Sequence, residues 1–446
     1  MNTPFTIAPH TVVVGLGKTG LSVVRHLRAL GTRIAVTDTR EAPPNLATLH
    51  DLAPEITVRA GGLDERLLNG ADTIVISPGI AARGAFFDAA RQRGLPIVGD
   101  IELFARAVRA PVVGITGTNG KSTVTTLVAG MARRAGRRTR VGGNLGDPAL
   151  ELLDPAAELY VLELSSYQLD TTESLNLVAA TVLNLSADHL DRYDSLAAYA
   201  DSKARIFRRC GTAVLNADDP AVALMGAMAE RRMRFSLESA SDAEYRLHPV
   251  GGEEWLMRGD EALLPRAALK LSGRHNAANA LAALALGDAL DLPRVAMLAE
   301  LREFAGLPHR SAWVADIAGV RFIDDSKGTN VGATLAAVAG LDGPLLLIAG
   351  GLGKDQDFAP LAAAFRGKVR CALLIGRDAR ALGAALAGIC ELEYCATLEA
   401  AVVTAARYAQ PGDTVLLSPA CASLDMFRDY AHRGLAFADA VRGLNS

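Results

Sequence analysis

The central stretch of the chain reads Gly114-Ile115-Thr116-Gly117-Thr118-Asn119-Gly120-Lys121-Ser122-Thr123. The apolar run 112–116 predicts a strand that enters this stretch, and residues 124–134 have the period of a helix. A glycine-rich backbone, a lysine and a hydroxyl between a strand and a helix are typical of a loop that binds phosphate and Mg2+. Five residues separate Gly114 from Gly120 where the standard motif has four, so the sequence indicates a variant phosphate loop.

Short apolar runs bounded by Gly, Pro or Asp alternate with Ala- and Leu-rich runs of helical period on both sides of this loop. The alternation is typical of parallel sheets covered by helices, and it predicts an α/β fold. A length of 446 residues suits about three domains, which we place at 1–100, 101–307 and 308–446. A helical stretch is predicted at 276–303, and strands are predicted at 11–15, 33–38, 73–78, 112–116, 160–164, 181–185, 213–216, 345–350, 372–376 and 414–418.

Composition and charge argue against several classes of protein. The 46 Lys and Arg residues nearly balance 49 Asp and Glu residues, and a net charge of −3 offers no footprint for nucleic acid or an anionic membrane. No uncharged apolar run reaches the roughly 20 residues that a membrane span needs. Residues 1–14 lack a secretory signal, and the five Cys residues contain no CxxC pair. We therefore expect a cytoplasmic protein without membrane insertion, nucleic-acid partner, disulfide framework or structural zinc.

Lysine is rare in this chain. Either basic residue can serve as a surface cation, but a compact phosphate-binding charge or a reactive amine requires lysine, because arginine stays protonated. The few lysines are therefore candidates for functional positions. Of the 46 basic residues 39 are Arg, and the others are Lys18, Lys121, Lys203, Lys270, Lys327, Lys354 and Lys368.

A second glycine-rich motif, Gly15-Leu16-Gly17-Lys18-Thr19-Gly20, follows the first predicted strand and opens a helix. Asp38 ends the next strand, 18 residues after Gly20. Glycines at such a turn let backbone N–H groups approach a diphosphate, and the carboxylate suits a ribose hydroxyl. The pattern predicts a site for NAD or another nucleotide diphosphate; the alternative is a tight turn that binds no ligand.

Three further candidates lie near predicted strands or in a predicted helix. Glu163 ends the apolar run 160–163, a position that suits a second contact to Mg2+. His189 follows another strand, where it could hold a metal or contact phosphate, and a structural role is the alternative for both residues. Lys203 lies in a helical stretch where a surface arginine would have served equally well.

Taken together, the residues resemble the Mur ligases of peptidoglycan synthesis over essentially the whole chain. The block 418–425 and the glycine motif 15–20 resemble the D-glutamate-adding member in particular. Besides the variant phosphate loop, the shared motifs are Gly142-Gly143-Asn144-Leu145-Gly146, Glu163-Leu164-Ser165-Ser166-Tyr167-Gln168-Leu169, Asp188-His189-Leu190-Asp191-Arg192-Tyr193, Gly273-Arg274-His275-Asn276, His309-Arg310, Asp325-Ser326-Lys327 and Ser418-Pro419-Ala420-Cys421-Ala422-Ser423-Leu424-Asp425.

The resemblance implies an ADP-forming amide ligase. ATP would phosphorylate the carboxylate of UDP-N-acetylmuramoyl-L-alanine (UDP-MurNAc-L-Ala), and the amine of D-glutamate would attack the acyl phosphate. It also implies a Rossmann-like N-terminal domain, a central P-loop ATPase-like domain with a parallel sheet, and a Rossmann-like C-terminal domain. The cofactors implied are ATP and two Mg2+ ions, and the expected oligomeric state is a monomer.

Individual residues also receive roles from the resemblance. The catalytic residues implied are Lys121, His189, Lys203 and Arg310. ATP would be bound by Gly117, Thr118, Asn119, Gly120, Lys121, Ser122, Thr123, Asn276 at adenine, Arg310 at the γ-phosphate and Asp325 at ribose. The Mg2+ ligands implied are Ser122, Glu163, His189 and Lys203, the last as a carbamate. The UDP-sugar would contact Lys18, Thr19, Asp38, Thr39, Gly79 and Asn144. The incoming amino acid would contact Lys327, Thr329, Lys354, Ser423, Leu424 and Tyr430.

Two positions depart from the family pattern. Leu352 stands where a polar residue, often Asp, is expected, and Gly328 follows Lys327 where Ala is usual. Neither change removes a charged contact. For Ser423 a helix cap and for Tyr430 simple packing are the alternative roles.

Other functions explain fewer of these motifs or share them. A related ADP-forming ligase for another amino acid, such as a neighbouring Mur ligase or a folylpolyglutamate synthetase, shares most of the motifs. The folate enzyme should lack the 100 residues that precede the phosphate-loop domain. An NAD-dependent dehydrogenase would leave Lys121, Lys203 and Lys327 unexplained, and a nucleotide-binding regulator would leave the polar motifs unused.

Overall fold

The computed structural model describes residues 10–189, 192–271, 273–341 and 343–444. Within these ranges the strands form three sheets, each covered by helices on its faces. The three sheets follow one another along the chain, which confirms the predicted α/β class with three domains. Among the described residues, none of the helices combines the length and the apolar character that crossing a membrane requires.

The N-terminal sheet is parallel, with strand order β3-β2-β1-β4-β5. The order reverses beside β1, so the turn after β1 opens at the crevice where such sheets bind ligands. The strands are β1 (His10–Val14), β2 (Arg33–Asp38), β3 (Thr57–Ala60), β4 (Thr73–Ile76) and β5 (Ile97–Gly99). The helices are α1 (Lys18–Ala29), α2 (Leu46–Leu52), α3 (Ala85–Gln92) and α4 (Asp100–Ala107).

The central sheet has the order β14-β13-β12-β11-β10-β9-β6-β8-β7, parallel from β7 to β12 and antiparallel at β12-β13-β14. The strands are β6 (Val112–Thr116), β7 (Thr139–Gly143), β8 (Leu159–Glu163), β9 (Leu177–Val182), β10 (Cys210–Asn216), β11 (Arg231–Ser236), β12 (Tyr245–Val250), β13 (Glu253–Arg258) and β14 (Glu261–Pro265). The helices are α5 (Lys121–Arg134), α6 (Ser166–Asp170), α7 (Leu196–Ala204), α8 (Pro220–Ala223), α9 (Arg274–Ala289) and α10 (Arg294–Glu303). Because β6 lies between β8 and β9, the loop after it is central at the carboxyl edge of the sheet.

The C-terminal sheet has the order β15-β16-β20-β17-β18-β19, with β15 antiparallel to β16 and the other neighbours parallel. The strands are β15 (Ala312–Ile317), β16 (Val320–Asp324), β17 (Leu345–Gly350), β18 (Val369–Ile375), β19 (Glu391–Tyr394) and β20 (Thr414–Leu417). The helices are α11 (Val331–Gly340), α12 (Ala359–Phe365), α13 (Ala379–Leu386), α14 (Leu398–Tyr408) and α15 (Tyr430–Gly443).

Every predicted strand has an observed counterpart, with ends displaced by up to a few residues. The prediction of one helical stretch over 276–303 was wrong in detail, because α9 ends at Ala289 and α10 starts at Arg294. Asp291 has a φ of 54° between them, and Pro293 caps the second helix. A left-handed residue and a proline cannot continue an α-helix, so the chain turns here.

Candidate active site

The phosphate loop lies between β6 and α5, as predicted. Gly120 caps α5 with a φ of 84°, a backbone conformation that glycine adopts without strain. The Lys121 ammonium donates to the carbonyl oxygens of Gly117 at 2.9 Å and Thr118 at 2.8 Å. Burial lowers the pKa of Lys121, although Glu163 and Asp188 oppose the shift. The loop therefore holds its cation at the positive end of a helix, a setting that suits anionic oxygens.

Glu163 at the end of β8 is the centre of a buried polar cluster. The Ser122 hydroxyl donates to Glu163 Oε2 at 2.5 Å, and Asn144 Nδ2 donates to Oε1 at 2.6 Å. Arg310 Nη2 donates to Ser122 Oγ at 2.7 Å. Burial opposes the charge of Glu163, but Lys121 and these hydrogen bonds outweigh it and lower its pKa. Ser122, Asn144 and Arg310, three predicted residues from separate segments, thus meet around one ionised carboxylate.

Lys203 on α7 is only 1% exposed. Its ammonium nitrogen contacts neutral oxygens, Gly117 O at 3.0 Å and Thr116 Oγ1 at 3.4 Å, and lies 4.5 Å from the Tyr199 ring centroid. Burial, with the charge of Lys121, lowers the pKa of Lys203 well below its ordinary value. The lysine therefore lies beside the phosphate loop in surroundings that favour an uncharged amine.

Asp188 and His189 follow β9 and meet the C-terminal domain. Asp188 Oδ1 accepts from Lys354 Nζ at 2.8 Å, and His189 Nε2 lies 3.6 Å from Asp188 Oδ2. Burial lowers the pKa of His189 to about 4, so its imidazole is neutral near pH 7. Leu190 and Asp191 of the same predicted motif lie outside the described residues.

Two adjoining cavities join these residues. The larger, of about 340 Å³, contains the predicted adenine and ribose contacts Asn276 and Asp325. The smaller, of about 240 Å³, is lined by Thr118, Asn119, Gly120, Lys121, Asn144, Glu163, Ser165, Ser166, Tyr167, Asp188, His189, Tyr199, Lys203, Arg310, Lys327, Thr329 and Asn330. Both are lined by Asn119, Gly120, Arg310 and Lys327, so they lie side by side at the junction of the central and C-terminal domains.

Asp325 and Lys327 reach the cavities from the loop after β16. Ser418 Oγ donates to Asp325 Oδ2 at 2.8 Å, and burial raises the pKa of Asp325 to about 7. Gly328 packs against this carboxylate, because a Cβ atom there would lie 2.6 Å from Asp325 Oδ2. The departure from Ala at position 328 thus has a local steric reason.

The residues predicted to surround the amino acid are only partly together. Lys327 Nζ lies 3.9 Å from the centroid of the Tyr430 ring, and Thr329 lines the smaller cavity. Ser423 is buried, whereas Leu424 is 66% exposed. Lys354, Ser423, Leu424 and Tyr430 do not line either of the two cavities.

The N-terminal candidates lie apart from these cavities, around the turn after β1. Asp38 is fully buried and accepts from the Leu16 backbone N–H at 2.7 Å and from Arg40 at 2.7 to 2.9 Å. Lys18 Nζ donates across the domain junction to Gly146 O at 2.8 Å. The position of Asp38 shows how it shapes the glycine turn. Its contact with a ribose stays a prediction, as do those of Thr19, Thr39 and Gly79.

A third cavity, of about 170 Å³, lies between the N-terminal and central domains. Residues 76–78 and 80–83 line one side, and Tyr167, Asp170, Thr171, Arg192 and Tyr193 line the other. Tyr167 lines this cavity and the smaller active-site cavity. Tyr167 thus lies between this third cavity and the smaller active-site cavity.

Sequence analysis assigned no role to two amides that organise the site. Asn184 exchanges hydrogen bonds with the backbone of Asn119 at 2.8 and 3.1 Å. Asn330, the cap of α11, donates to Asn119 Oδ1 at 3.1 Å and to Asp188 Oδ2 at 3.2 Å. The one available cue was position, since Asn184 follows a strand and Asn330 lies three residues after Lys327.

Comparisons with known proteins agree with this geometry. Family models match residues 9–99 (Mur ligase MurD-like, N-terminal domain), 115–287 (Mur ligase middle domain) and 309–421 (Mur ligase, glutamate ligase domain). A Nitrosococcus oceani protein named UDP-N-acetylmuramoylalanine–D-glutamate ligase is 54% identical over 443 residues, covering 99% of this chain and 98% of its own. The chain belongs to the Mur ligase family. The resemblance found in the sequence is thereby confirmed.

Other relatives extend the comparison of this Mur ligase. A Methylobacillus flagellatus protein of the same name is 52% identical and covers 97% of this chain and 96% of its own. Among solved structures, a Thermotoga maritima UDP-N-acetylmuramate-alanine ligase covers 98% of this chain and 99% of its own, with a TM-score of 0.64 and 18% identity. A Methanothermus fervidus pseudomurein peptide ligase has the same score and identity, and covers 98% of this chain and 100% of its own. These structures support the fold alone.

Proposed function

We propose that this Mur ligase joins D-glutamate to UDP-MurNAc-L-Ala with hydrolysis of ATP to ADP and phosphate, a step of peptidoglycan precursor synthesis. The observation that carries the proposal is the meeting of Lys121, Ser122 and Glu163 of the central domain with Arg310 of the C-terminal domain, beside a cavity that Lys327 also lines. The names of the relatives support the choice of sugar nucleotide and amino acid. The reaction would take place in the cytoplasm, in a monomer.

Lys121 and Arg310 would bind the transferred phosphoryl group. Phosphoryl transfer depends on cations at the equatorial oxygens and on an in-line acceptor, so positioning and electrostatics supply most of the rate. Both side chains line the smaller cavity, with Lys121 at the start of α5. ATP would extend from there into the larger cavity, with adenine near Asn276 and ribose near Asp325.

The donor set suits one Mg2+ ion. Ser122 and Glu163 present a hydroxyl and an ionised carboxylate, the oxygen donors that Mg2+ prefers. A bound Mg2+ supplies charge neutralisation between phosphate oxygens. Ser122 and Glu163 would hold it, and Asn144 would keep the carboxylate oriented through its hydrogen bond at 2.6 Å.

A second ion requires a changed Lys203. An amine or ammonium is a poor ligand for Mg2+, whereas a carbamate offers oxygen atoms. The unprotonated amine would add CO2 and release a proton, and the buried position beside Gly117 favours the uncharged form. His189 would be the other protein ligand.

Lys327 would bind a carboxylate of the incoming glutamate. Its ammonium group lies over the Tyr430 ring rather than against a carboxylate, which leaves its charge for a ligand. The glutamate amine must lose a proton before it attacks, and the neutral imidazole of His189 lies in the same cavity. His189 would assist that transfer if it does not serve as a ligand.

Phosphate release from ATP tests the proposal with UDP-MurNAc-L-Ala and a panel of amino acids that includes both glutamate enantiomers. We expect turnover with D-glutamate and loss of it in Lys121→Ala, whose circular dichroism should match the wild type. Equal turnover with another amino acid would mean that the protein is a related ligase with a different amino-acid substrate. Ligation that continues in Lys121→Ala would contradict the role of the phosphate loop.

A further inference from the structure

Asp100 lies outside all three cavities, on the first turn of α4, directly after the last strand of the N-terminal sheet. It is 1% exposed, and Gln168 on α6, which is 3% exposed, donates from Nε2 to Asp100 Oδ2 at 3.2 Å. Burial raises the pKa of Asp100 to about 6, so the group is ionised near pH 7 and only accepts hydrogen bonds. A buried carboxylate thus contacts a buried amide across the domain junction.

The contact fixes the orientation of the Gln168 amide. An amide donates hydrogen bonds from its nitrogen and accepts them at its oxygen. Because Gln168 Nε2 faces the carboxylate of Asp100, Gln168 Oε1 faces Ser165. Gln168 Oε1 accepts from Ser165 N at 3.1 Å, and Gln168 N donates to Ser165 Oγ at 3.2 Å. This reciprocal capping box starts α6 and determines how residues 165–167 leave β8.

Residues 165–167 are part of the wall of the active-site cavity. They follow Glu163 closely in the chain. The centroid of the Tyr167 ring lies 5.0 Å from the centroid of the His189 ring and 4.1 Å from Arg192 Cζ. Tyr167 also lines the third cavity, on the side of the N-terminal domain. None of these three residues lines the larger cavity with Asn276 and Asp325.

We infer that Asp100 is a positioning residue, which holds the 165–167 wall in place through Gln168 for the sugar-nucleotide substrate. The inference rests on the proposed ligase function. It requires that loss of the contact affects the KM for UDP-MurNAc-L-Ala and kcat, and leaves the KM for ATP unchanged.

Steady-state kinetics of Asp100→Ala and Asp100→Asn test this role. We expect Asp100→Ala to lower kcat/KM for UDP-MurNAc-L-Ala by about tenfold, the lower end of the effect of residues that orient the ligands of a metal site through a hydrogen bond. Asp100→Asn should recover most of this loss, because its amide oxygen still accepts from Gln168. Thr172→Val is the matched control, since Thr172 Oγ1 donates at 2.7 Å to the backbone carbonyl of the same Gln168 and leaves its amide alone. It should lower the melting temperature without changing these kinetics.

An exchange of the two groups keeps the test decisive if Asp100→Ala does not fold. Gln168→Glu alone would place two carboxylates opposite each other. The double variant with Asp100→Asn and Gln168→Glu would restore one amide facing one carboxylate. We expect the double variant to regain the activity that Gln168→Glu loses. Wild-type kinetics in Asp100→Ala, equal losses in Thr172→Val, a change confined to the KM for ATP, or no recovery in the double variant would overturn the inference. The wild type in the same assay reports on the proposed function separately, since its failure to ligate does not depend on position 100.

Discussion

The lysines of the active site lie in surroundings that disfavour a charge. Burial is the main cause that lowers the pKa of both Lys203 and Lys327, and the hydrogen bonds of Lys203 go to neutral oxygens. Residues with perturbed pKa values cluster at functional sites, where burial and neighbouring charges shift the pKa of a group toward the value that its role requires. The composition predicted functional lysines, and the structure places Lys121, Lys203 and Lys327 around one cavity.

Substitution of Lys203 should separate a carbamate from a simple cation. We expect Lys203→Ala to be nearly inactive and to regain part of its activity when a short carboxylic acid occupies the vacated space. Lys203→Arg should fail although it keeps the charge, because a guanidinium cannot become a carbamate. Ligation rates with and without the acid, and a 13C signal from enzyme equilibrated with labelled bicarbonate, check this. A fully active Lys203→Arg would show that a cation suffices.

The affinity for glutamate should depend on the protonation of Lys327. Burial, reinforced by the charge of Arg310, lowers the pKa of Lys327 to about 8. The ammonium form therefore predominates below pH 8 and disappears above it, so the KM for glutamate should rise as the pH increases past 8. Lys327→Ala should lose about 2 to 5 kcal/mol of glutamate recognition at pH 7, the usual cost of an unpaired, desolvated charge. Lys327→Arg is the control, with a KM that does not change over this pH range.

The measurement is the KM for each substrate from about pH 6.5 to about pH 9, a range that spans the titration of a lysine whose pKa is lowered by burial. If Lys327→Ala raised the KM for ATP alone, the lysine would have to be reassigned to the nucleotide.

At the scale of single elements, the turn between β1 and α1 shows what a glycine motif requires. A Cβ atom on Gly20 would lie 1.8 Å from the carbonyl oxygen of Gly15. A Cβ atom on Gly17 would have no neighbouring atom within 4 Å. Gly17 also has an ordinary φ of −83°. The two glycines of one motif therefore serve different purposes, which their spacing alone does not reveal.

We predict that Gly20→Ala destabilises the protein by about 1 to 3 kcal/mol, the range for overpacked sites. It should also weaken UDP binding, because α1 would move away from the turn. Gly17→Ala should leave stability unchanged and is the control for the substitution itself. Denaturant unfolding and UDP calorimetry measure both effects, and equal stabilities for the two variants would contradict this account.

The elements differ in how well the sequence predicts them. Strands such as β6 and β17 are continuous apolar runs, so periodicity and flanking glycines suffice. The antiparallel β12, β13 and β14 were not predicted, because Arg246, His248 and other polar residues interrupt their apolar pattern. In the site, motif spacing found Lys121 and Glu163. Asn184 pairs with Asn119 inside the folded central domain and Asn330 pairs across two domains, and no local pattern marks such amides.

At the scale of the whole molecule, the ion pairs that join the domains differ in burial. Lys354 and Asp188 join the C-terminal and central domains with side chains that are 15% and 7% exposed. Arg25 and Glu151 join the N-terminal and central domains with 47% and 37% exposure. Breaking a buried pair leaves an uncompensated charge, whereas an exposed pair contributes little.

Asp188→Asn should therefore weaken the contact between the C-terminal and central domains. Glu151→Gln should have little effect on the contact between the N-terminal and central domains. The first removes the carboxylate that Lys354 and Asn330 share, at a cost of about 3 to 5 kcal/mol for a buried pair. We expect a larger radius of gyration by small-angle X-ray scattering for Asp188→Asn and an unchanged one for Glu151→Gln. Superimposable scattering curves for Asp188→Asn and the wild type would contradict the prediction.

The wall shared by the two active-site cavities bears on inhibitor design. Asn119, Gly120, Arg310 and Lys327 line both spaces, so a ligand in one cavity and a ligand in the other would contact the same four residues. A compound that links an adenosine mimic to a dicarboxylate would lose translational freedom once on binding, whereas two separate compounds would each lose it. Each half would then raise the effective concentration of the other, provided that the linker matches the span between Asn276 and Lys327.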